Sequence, residues 1–512
     1  MINSKVRDVL FFLLCFTLPF IHIPEFLRLK FILLPDFSRL SNYPLFLGML
    51  YTAYCQIRYR NVFANESKFF KYVFVYILII STSLFLGLYQ YPYYEWLLAG
   101  NANQIENLPQ ILTFLNNNGI GVVYKELFIA WFSLRNIKTV FVDAFFCYGC
   151  SYMVYCWYRN DYQQGLKIFK RSLYSSVAIF ILYGLLDVAY LAHFEFARSL
   201  LINATPYVHV VETMHGWYPP LLWNGQLRSF FVEPSFIGNY IACILPVLWT
   251  KLLFSKNKVR LEVLFTFMVC FYVVLTKART AMALYVGMLV VFFLLVVIRK
   301  YRGAIMRYFG LTVITAIAFC FGVYFINHFV NNSNKLDSFA VQSEKVLDEN
   351  LMSLRSVNKR SNGARYAVIK SSLRTWSKYP MLGVGINLGD AYIIQNFNEN
   401  EKENPEVRLW IDDFYKLGGA KSRVEPLNEY VRRITENGLV GLSIFILPFA
   451  FALYKLLIMI TKYKQYDSTS LILLFTALLG SCIAAMNTWI NVYACSWIIL
   501  GLSFAFFEER RN

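Results

Sequence analysis

The feature that most constrains this chain is a series of apolar stretches, each close to 20 residues long. A transmembrane helix needs about 20 mostly apolar residues to cross the hydrocarbon core of a bilayer. Twelve such stretches can be marked, of which the first, second and seventh are short or less apolar: 8–25, 40–57, 70–90, 138–158, 173–193, 235–254, 260–276, 280–298, 308–329, 438–460, 468–487 and 490–507. The chain is 57% hydrophobic and only 16% charged, too apolar for a soluble protein of its length. We predict an all-α, polytopic integral membrane protein with about twelve transmembrane helices.

The connections between these stretches alternate in charge. Short basic connections recur at every second crossing, at 1–7, 58–71, 159–171, 251–260, 299–307, 455–464 and 510–511. Because cytoplasmic loops carry an excess of Lys and Arg, these connections are expected to be cytoplasmic, with both termini on the same side. The basic start runs into an apolar stretch without a small-residue cleavage site, which predicts a retained signal anchor.

Three longer connections lie on the opposite, outer side, at 91–137, 194–234 and 331–437. The last exceeds a hundred residues and is too long for a simple connector. We therefore divide the chain into a transmembrane domain at 1–330 with spans one to nine, a large outer loop at 331–437, and a transmembrane domain at 438–512 with spans ten to twelve. Long outer loops are typical of proteins that act at that face.

The stretch LRSFFVEPSFIGNYI, residues 227–241, places charge at the outer end of the sixth span. Pro234 suits the first turn of a helix, where its missing N–H costs nothing. Glu233 is then the expected N-cap, beside the positive end of the helix dipole. A cap alone does not require Arg228 five residues upstream, and ionisable residues at span ends are functional candidates because their burial is costly.

A second basic pair fills the very short outer connection LTKARTAMAL between the seventh and eighth spans. Lys277 and Arg279 are disfavoured there by the positive-inside rule. Snorkelling of long side chains to the interface is one explanation, and anion binding is the other. We favour a functional role for Arg279 over one for Lys277.

The large outer loop begins with a basic segment. Residues 351–380 hold seven basic residues and no acidic one, whereas 381–437 hold ten acidic and seven basic residues. In the basic segment an apolar set and a basic set each recur at helical spacing: Tyr366, Ile369, Leu373 and Trp376, and Lys370, Arg374 and Lys378. This spacing predicts an amphipathic basic helix able to lie at a membrane surface, which binds lipid phosphate non-specifically or grips a phosphorylated lipid substrate.

Other uses of these residues are less well supported. All ten cysteines fall in apolar runs, so we expect small core residues and no disulfide framework. The net charge of +18 does not indicate nucleic acid, because nearly half of the basic residues lie in inner loops. No metal site is predicted, although His209, Glu212 and His215 would share a face if their loop were helical.

Three stretches, taken together and in order, resemble the bacterial O-antigen polymerase and ligase superfamily. The first motif is R-x-F/x-x-E-P-S, from Arg228 to Ser235; the second is the pair Arg279-Thr280 opening a later span. The third combines an outer-loop Arg, here Arg365, with YPMLGVGIN at 379–387 and LNEYVRRITENGLVG at 427–441. The resemblance covers roughly 220–445, and twelve spans with cytoplasmic termini also match this superfamily.

The resemblance implies a glycosyltransferase of the bacterial inner membrane that uses a glycan on undecaprenyl diphosphate at the periplasmic face, with no cofactor and no metal. Arginine forks pair with phosphate oxygens, and a carboxylate can accept the proton of the acceptor hydroxyl. The expected catalytic residues are Arg228, Glu233 and Arg279. The expected substrate-binding residues are Arg365, Lys370, Arg374, Lys277, Asn428 and Glu436. Expected partners are the lipid-linked oligosaccharide, the bilayer and a chain-length regulator protein, without nucleic acid.

Three functions remain open at this point. The E-P-S signature favours a polymerase of polysaccharide repeats. A ligase that transfers the chain to lipid A-core is the alternative, but many ligases carry His before the Asn where this chain has Leu427. A flippase would need charged residues deep inside several spans, and here only Asp143 and Asp187 lie mid-span.

Overall fold

The computed structural model describes twelve segments of the chain: 3–29, 37–59, 67–99, 108–210, 220–223, 225–255, 258–299, 302–330, 360–417, 423–462, 468–492 and 494–509. The described segments contain α-helices, short 3₁₀ and π turns, and no β-strand. The predicted all-α fold class is thereby confirmed. Part of the large outer loop, 331–359, and part of the second outer connection, 211–219, lie outside the described residues.

The helices of the amino-terminal half are α1 Ser4–Phe16, α2 Asn42–Tyr59, α3 Ser67–Gln90, α4 Tyr94–Ala99, α5 Leu108–Asn117, α6 Tyr124–Asp143, α7 Gly149–Tyr158, α8 Tyr162–Leu191, α9 Glu195–Val208 and α10 Ile237–Phe254. Those of the carboxyl-terminal half are α11 Arg260–Leu275, α12 Arg279–Arg299, α13 Arg302–Phe325, α14 Arg360–Lys378, α15 Gly389–Gln395, α16 Glu399–Lys402, α17 Pro405–Leu417, α18 Glu429–Lys462, α19 Ser468–Ala484 and α20 Cys495–Glu509.

Each of the twelve predicted spans overlaps one of these helices or a run of them. Seven described helical runs are long and apolar enough to cross a membrane. One run combines α6 and α7, and the other six are α3, α8, α10, α12, α13 and α18. Helices α19 and α20 are apolar but shorter. The protein is therefore a polytopic membrane protein. Helix α1 ends at Phe16, well short of the predicted 25, because Pro19 and Pro24 follow and proline does not continue a helix.

The chain divides into two compact units. Unit 1 comprises Met1–Ala64, Phe146–Ser353 and Phe449–Asn512. At its centre is α10, whose spanning window is 83% buried and which packs mainly on α19, with α12 and α11 beside it. A helix in such a central position must be apolar on all sides, as α10 is. Trp249 of α10, for example, lies edge-on to Tyr285 and Phe292 of α12.

Unit 2 comprises Asn65–Phe145 and Leu354–Pro448, so it joins helices α3 to α6 with the outer-loop helices α14 to α17 and the first half of α18. Helix α3 packs against α6, and α14 packs against α15 and α17. The predicted domain limits at 330 and 437 differ from these units, because the folded part of the outer loop packs with a set of helices drawn from the first third of the chain.

The prediction that every cysteine is an unpaired core residue is wrong for one pair. Cys243 of α10 and Cys495 of α20 form a disulfide, with their Cα atoms 6.6 Å apart. These residues are 252 positions apart in sequence, and apolar runs do not show which helices become neighbours. Of the remaining eight cysteines six are buried, whereas Cys320 on α13 is exposed.

Candidate functional site

Arg228 of the first motif lies inside unit 1, with only 3% of the residue exposed. The backbone N–H groups of Arg228 and Ser229 donate to Oδ2 of Asp187 at 3.0 and 2.6 Å. The guanidinium Nη2 donates to the carbonyl oxygen of Pro220 at 2.6 Å, and burial lowers the pKa of Arg228 while Asp187 opposes that shift. The arginine therefore fixes the turn that enters α10.

Glu233 occupies the N-cap position that the sequence predicts, followed by Pro234 at the first helical position. The helix begins with a 3₁₀ turn, Pro234–Phe236, and the Glu233 side chain makes no capping hydrogen bond. It is exposed and accepts a hydrogen bond from the Ser235 hydroxyl at 3.0 Å. The carboxylate that contacts the backbone of Arg228 is Asp187 on α8, and not Glu233.

His209 is buried beside Arg228. It ends α9, with 1% of the residue exposed, and its Nδ1 lies 2.8 Å from the carbonyl oxygen of Val210. Burial, with a smaller contribution from Arg228, lowers the pKa of His209 to about 3, so the imidazole is neutral in the folded protein. Glu212 and His215, which the hypothetical metal site needs, lie outside the described residues.

The second motif forms a strained connection between α11 and α12. Lys277 has a left-handed backbone with φ of 52°, a conformation that is unfavourable for a residue with a side chain. Arg279 is the first residue of α12, where the helix dipole disfavours a cation. Both residues are half-buried. Because the helix dipole does not stabilise a cation at this position, Arg279 remains a candidate for binding an anion.

The first two motifs meet within unit 1. The turn Pro234–Phe236 contacts α12, and a Cβ on Gly238 would lie 3.5 Å from the Cα of Ala281. On the other side, the N–H of Leu227 donates to the carbonyl of Leu275 at 3.1 Å. The structure therefore brings the starts of α10 and α12 together, with Glu233 at one and Arg279 at the other.

The two halves of the third motif pair through their backbones in unit 2. The N–H groups of Val384 and Gly385 donate to the carbonyls of Thr435 and Glu436 at 3.1 and 2.7 Å. Close approach demands glycine here: a Cβ on Gly383 would lie 2.4 Å from the carbonyl carbon of Glu436, and Gly383 has φ of 69°. These glycines therefore serve the close approach of the 380–385 segment to α18.

A kink in α18 completes this arrangement. Gly438 interrupts the helix with φ of 65°, and a Cβ there would lie 2.2 Å from the carbonyl oxygen of Met381. The next residue, Leu439, donates its N–H to the carbonyl of Pro380 at 2.8 Å. The segment 380–385 is thus bound on both sides of the kink.

Glu436 and Asn437 precede the kink and carry buried polar atoms that have no hydrogen-bond partner among the described residues. Glu436 is 3% exposed; its Oε1 accepts from the N–H of Asn387 at 3.0 Å, while Oε2 has no partner. Both side-chain polar atoms of Asn437 and Oδ1 of Asp390 are also unpartnered. Because a buried polar atom without a partner is destabilising, these atoms mark a functional candidate.

Charged residues of the outer loop adjoin this cluster. Arg423 donates to Oδ1 of Asn387 at 3.0 Å and pairs with Glu425. Burial, followed by repulsion from Glu425, raises the pKa of Asp390 well above its ordinary value. Asn387 adopts φ of 60° and also donates to Oδ1 of Asn136 at 3.3 Å. The third motif is therefore adjoined by two carboxylates and an arginine that the sequence did not link to it: Asp390, Glu425 and Arg423.

Asn428 and the residues that follow it stabilise α18. The Oδ1 of Asn428 accepts from the N–H groups of Tyr430 and Val431 at 3.0 and 3.1 Å, which is N-cap geometry. The buried carboxylate of Glu429 pairs with Arg432 and Arg433 at 3.1 and 2.7 Å. The expected substrate-binding role of Asn428 remains a prediction, whereas its cap is observed.

The predicted basic helix is present as α14, and the large residues of its apolar stripe are not the ones that it buries inside unit 2. Tyr366 and Leu373 of the predicted apolar face are exposed. The buried face consists of small side chains, Ala364, Ala367, Val368, Ser371, Ser372 and Thr375. Small residues let α14 approach α15 closely, where the Ser371 hydroxyl bonds the Ile393 carbonyl.

The basic residues of α14 differ in their surroundings. Arg374 pairs with Glu401 and donates through Nε to the Asn396 carbonyl at 2.8 Å. Lys370 is exposed and Arg365 is half-buried. Arg374 is thus committed to a structural contact, and Lys370 is better placed to meet a phosphate.

Most contacts that define the two clusters were not foreseen from the sequence. Asp187 had a signal, since it is one of the two carboxylates that lie mid-span. Asp390, Arg423 and Glu425 had none, because their relation to Glu436 depends on the tertiary fold. The described segments hold no group of three His, Cys, Asp or Glu side chains arranged as metal ligands.

The fold and these clusters define a polytopic membrane protein whose unusual polar groups lie at helix starts and at a helix kink. Residues 263–446 match the family described as O-antigen ligase. The match confirms the resemblance to the O-antigen polymerase and ligase superfamily, and it includes Arg279 and the whole third motif but not Arg228 and Glu233. No curated protein matches the chain.

Proposed function

We propose that this protein is an O-antigen polymerase, which joins repeat units carried on undecaprenyl diphosphate at the periplasmic face of the inner membrane. The observation that carries the proposal is the match over 263–446, together with the first motif directly before it. Leu427 supports polymerase over ligase. It is 47% exposed and directly precedes the Asn428 cap, at the position where many ligases of this superfamily carry a histidine.

The reaction requires a group that balances growing negative charge. The acceptor hydroxyl oxygen forms a bond to the anomeric carbon as the bond to the lipid diphosphate breaks, and the diphosphate leaves with the electron pair. A guanidinium fork binds phosphate oxygens bidentately, and donors aimed at developing charge supply much of catalysis. Arg279 is our principal candidate in unit 1, with Lys277 two residues away.

The proton of the acceptor hydroxyl needs a base. Glu233 is our candidate, because its carboxylate is exposed at the start of α10, where it accepts a hydrogen bond from the Ser235 hydroxyl. Arg228 acts in this proposal as a positioning residue that holds the turn before Glu233 through Asp187. Arg365, Lys370 and Glu436 are proposed to contact the glycan or its diphosphate in unit 2.

Substitutions of Arg279 test whether its positive charge or its bidentate hydrogen-bonding geometry is needed for the reaction. Arg279→Lys keeps the charge but loses the bidentate contact, so its rate is expected to fall nearly as far as that of Arg279→Ala, by roughly 10²-fold or more. Arg198→Ala is the matched control, because Arg198 is an exposed arginine of unit 1 paired only loosely with Glu195 at 3.9 Å. Rates are measured with purified protein and lipid-linked repeat units, alongside protein abundance in the membrane.

The lipopolysaccharide of a deletion strain distinguishes the two activities. A polymerase deletion leaves a single repeat on each core, whereas a ligase deletion leaves free core and lipid-linked polymer. The second banding pattern would replace our proposal with the ligase alternative. Normal long-chain polymer from a stably expressed Arg279→Ala variant would remove Arg279 from the reaction.

A further inference from the structure

Unit 2 carries a cluster of aromatic rings that the reaction chemistry does not use. Tyr93 and Trp96 lie 4.9 Å apart at the start of α4, and Trp96 meets Tyr415 of α17 at 5.7 Å. Tyr379, which follows α14, joins them through Tyr392 of α15. We call Tyr93, Trp96, Tyr379 and Tyr415 the aromatic surface.

Tyr392 is the buried ring against which the aromatic surface packs. It is buried, and it contacts Tyr93 at 4.9 Å and Tyr379 at 5.5 Å with interplanar angles of 84° and 73°. In edge-to-face contacts one ring presents only its edge, so its faces stay available to a ligand. The four rings of the aromatic surface are partly accessible to solvent, and Tyr415 is 47% exposed.

We infer that the aromatic surface is a binding subsite for the pyranose rings of the glycan, separate from the groups that contact its diphosphate. The C–H groups of a sugar face carry a small positive charge and pack against the negative face of an aromatic ring. The inference takes the ligand's identity from the proposed function, whereas the rings and their accessibility are structural observations.

The charge around the rings favours a glycan over the bilayer interface, the other common environment of Trp and Tyr. Between 399 and 416 the chain has six acidic residues against three basic ones, and anionic lipid surfaces attract basic segments. Asp412 on α17 is exposed, and a carboxylate accepts hydrogen bonds from sugar hydroxyls. Rings beside carboxylates suit a hydroxyl-rich ligand.

The aromatic surface also adjoins the third motif. Tyr91 contacts Tyr93 and Tyr392 at 5.6 and 5.9 Å, and its hydroxyl is close enough to interact electrostatically with Asp390. Asp390 in turn interacts with Glu436. A sugar ring on the aromatic surface would therefore lie in the same unit as Glu436, and the side chains of Tyr91 and Asp390 lie between the two.

The test measures glycan binding without catalysis. The probe is the surface glycan of the strain that carries this chain, released from its lipid by mild acid and titrated against the protein in lipid nanodiscs. The double variant Trp96→Ala/Tyr415→Ala is expected to raise the Kd about five- to tenfold or more. Tyr89→Ala is the control and should bind normally, because this residue is 89% exposed and lies outside the aromatic surface.

An unchanged Kd in a double variant that is folded and inserted overturns the inference. A second assay with lipid-linked repeats separates its failure from that of the proposed function. Shorter chains and a raised KM for the acceptor, with kcat retained, support the subsite. Wild-type protein that binds glycan through Trp96 but transfers none contradicts the proposed function and leaves the subsite standing. Normal chain lengths and an unchanged Kd in the double variant contradict the subsite and leave the proposed function standing.

Discussion

Two glutamates of α18, seven residues apart, are expected to respond in opposite ways to the same substitution. Glu429 is fully buried, and its Oε1 and Oε2 accept from Arg433 Nε at 2.7 Å and Arg432 Nη2 at 3.1 Å. Glu436 is buried too, but only Oε1 is bonded, to the N–H of Asn387. We predict that Glu429→Gln destabilises the protein and that Glu436→Gln does not.

The magnitudes follow from these contacts. Glutamine in place of Glu429 leaves two buried guanidinium groups without their counter-charge, and removing one partner of a buried pair costs about 3–5 kcal/mol. Arg433 keeps the Tyr76 hydroxyl at 3.0 Å and Asp143 at 3.6 Å, which places the loss toward the lower figure. Glutamine in place of Glu436 can still accept from Asn387, so its effect is expected to stay within about 1 kcal/mol.

The assay is thermal unfolding of purified variants in one detergent, followed by intrinsic fluorescence. A loss of about 3 kcal/mol corresponds to a fall in Tm of roughly 6–12 °C, at about 2–4 °C per kcal/mol. Glu399→Gln is the control, because the Glu399 carboxylate is exposed and pairs only with Lys402. Polymer synthesis is measured on the same samples, and we expect Glu436→Gln to lose activity while keeping its Tm.

Equal Tm values for Glu429→Gln and Glu436→Gln would refute this reasoning, since it rests on the difference in their partners. A Glu436→Gln variant that is stable and fully active would show that its unpartnered oxygen has no role in the reaction. A large fall in Tm for Glu436→Gln would instead reveal that the cluster stabilises the fold.

Two further outcomes are expected. The pKa of His209 is about 3 in the folded protein, against an ordinary value of 6.5. As the pH falls from 7.5 to 5, the unfolded chain therefore binds a proton that the folded protein does not, and the free energy of unfolding decreases by about 2 kcal/mol. His209→Gln should make the Tm less dependent on pH, and an unchanged dependence contradicts the assignment. Reporter fusions are expected to place Lys167 in the cytoplasm and Asn387 outside, and a cytoplasmic signal at Asn387 would invert the large loop.

The helical fold was predictable because apolar runs of span length leave few alternatives. Each predicted span overlaps an observed helix, and Pro234 marked the start of α10 correctly within its 3₁₀ turn. The end of α1 was misjudged because the hydropathy of the run outweighed its two prolines. Local signals of this kind need no knowledge of which helices become neighbours.

The partners of the site residues were not predictable on the same basis. Arg228 and Glu233 are five residues apart in one motif, but the carboxylate that Arg228 contacts is Asp187, 41 positions upstream. The sequence also did not show which face of α14 packs inside unit 2. Its large apolar residues formed a regular stripe, yet the contact with α15 is made by alanine and serine, which allow close packing and hydroxyl-to-carbonyl bonds.

The structural roles of several motif residues narrow the choice of functional ones. Asn428 caps α18, Gly438 permits the contact between α18 and the 380–385 segment, and Arg228 fixes a turn through its own backbone and side chain. Packing accounts for these residues without any ligand. Among the described residues, packing supplies no hydrogen-bond partner for Oε2 of Glu436. A hydroxyl of the proposed glycan substrate would donate the missing hydrogen bond.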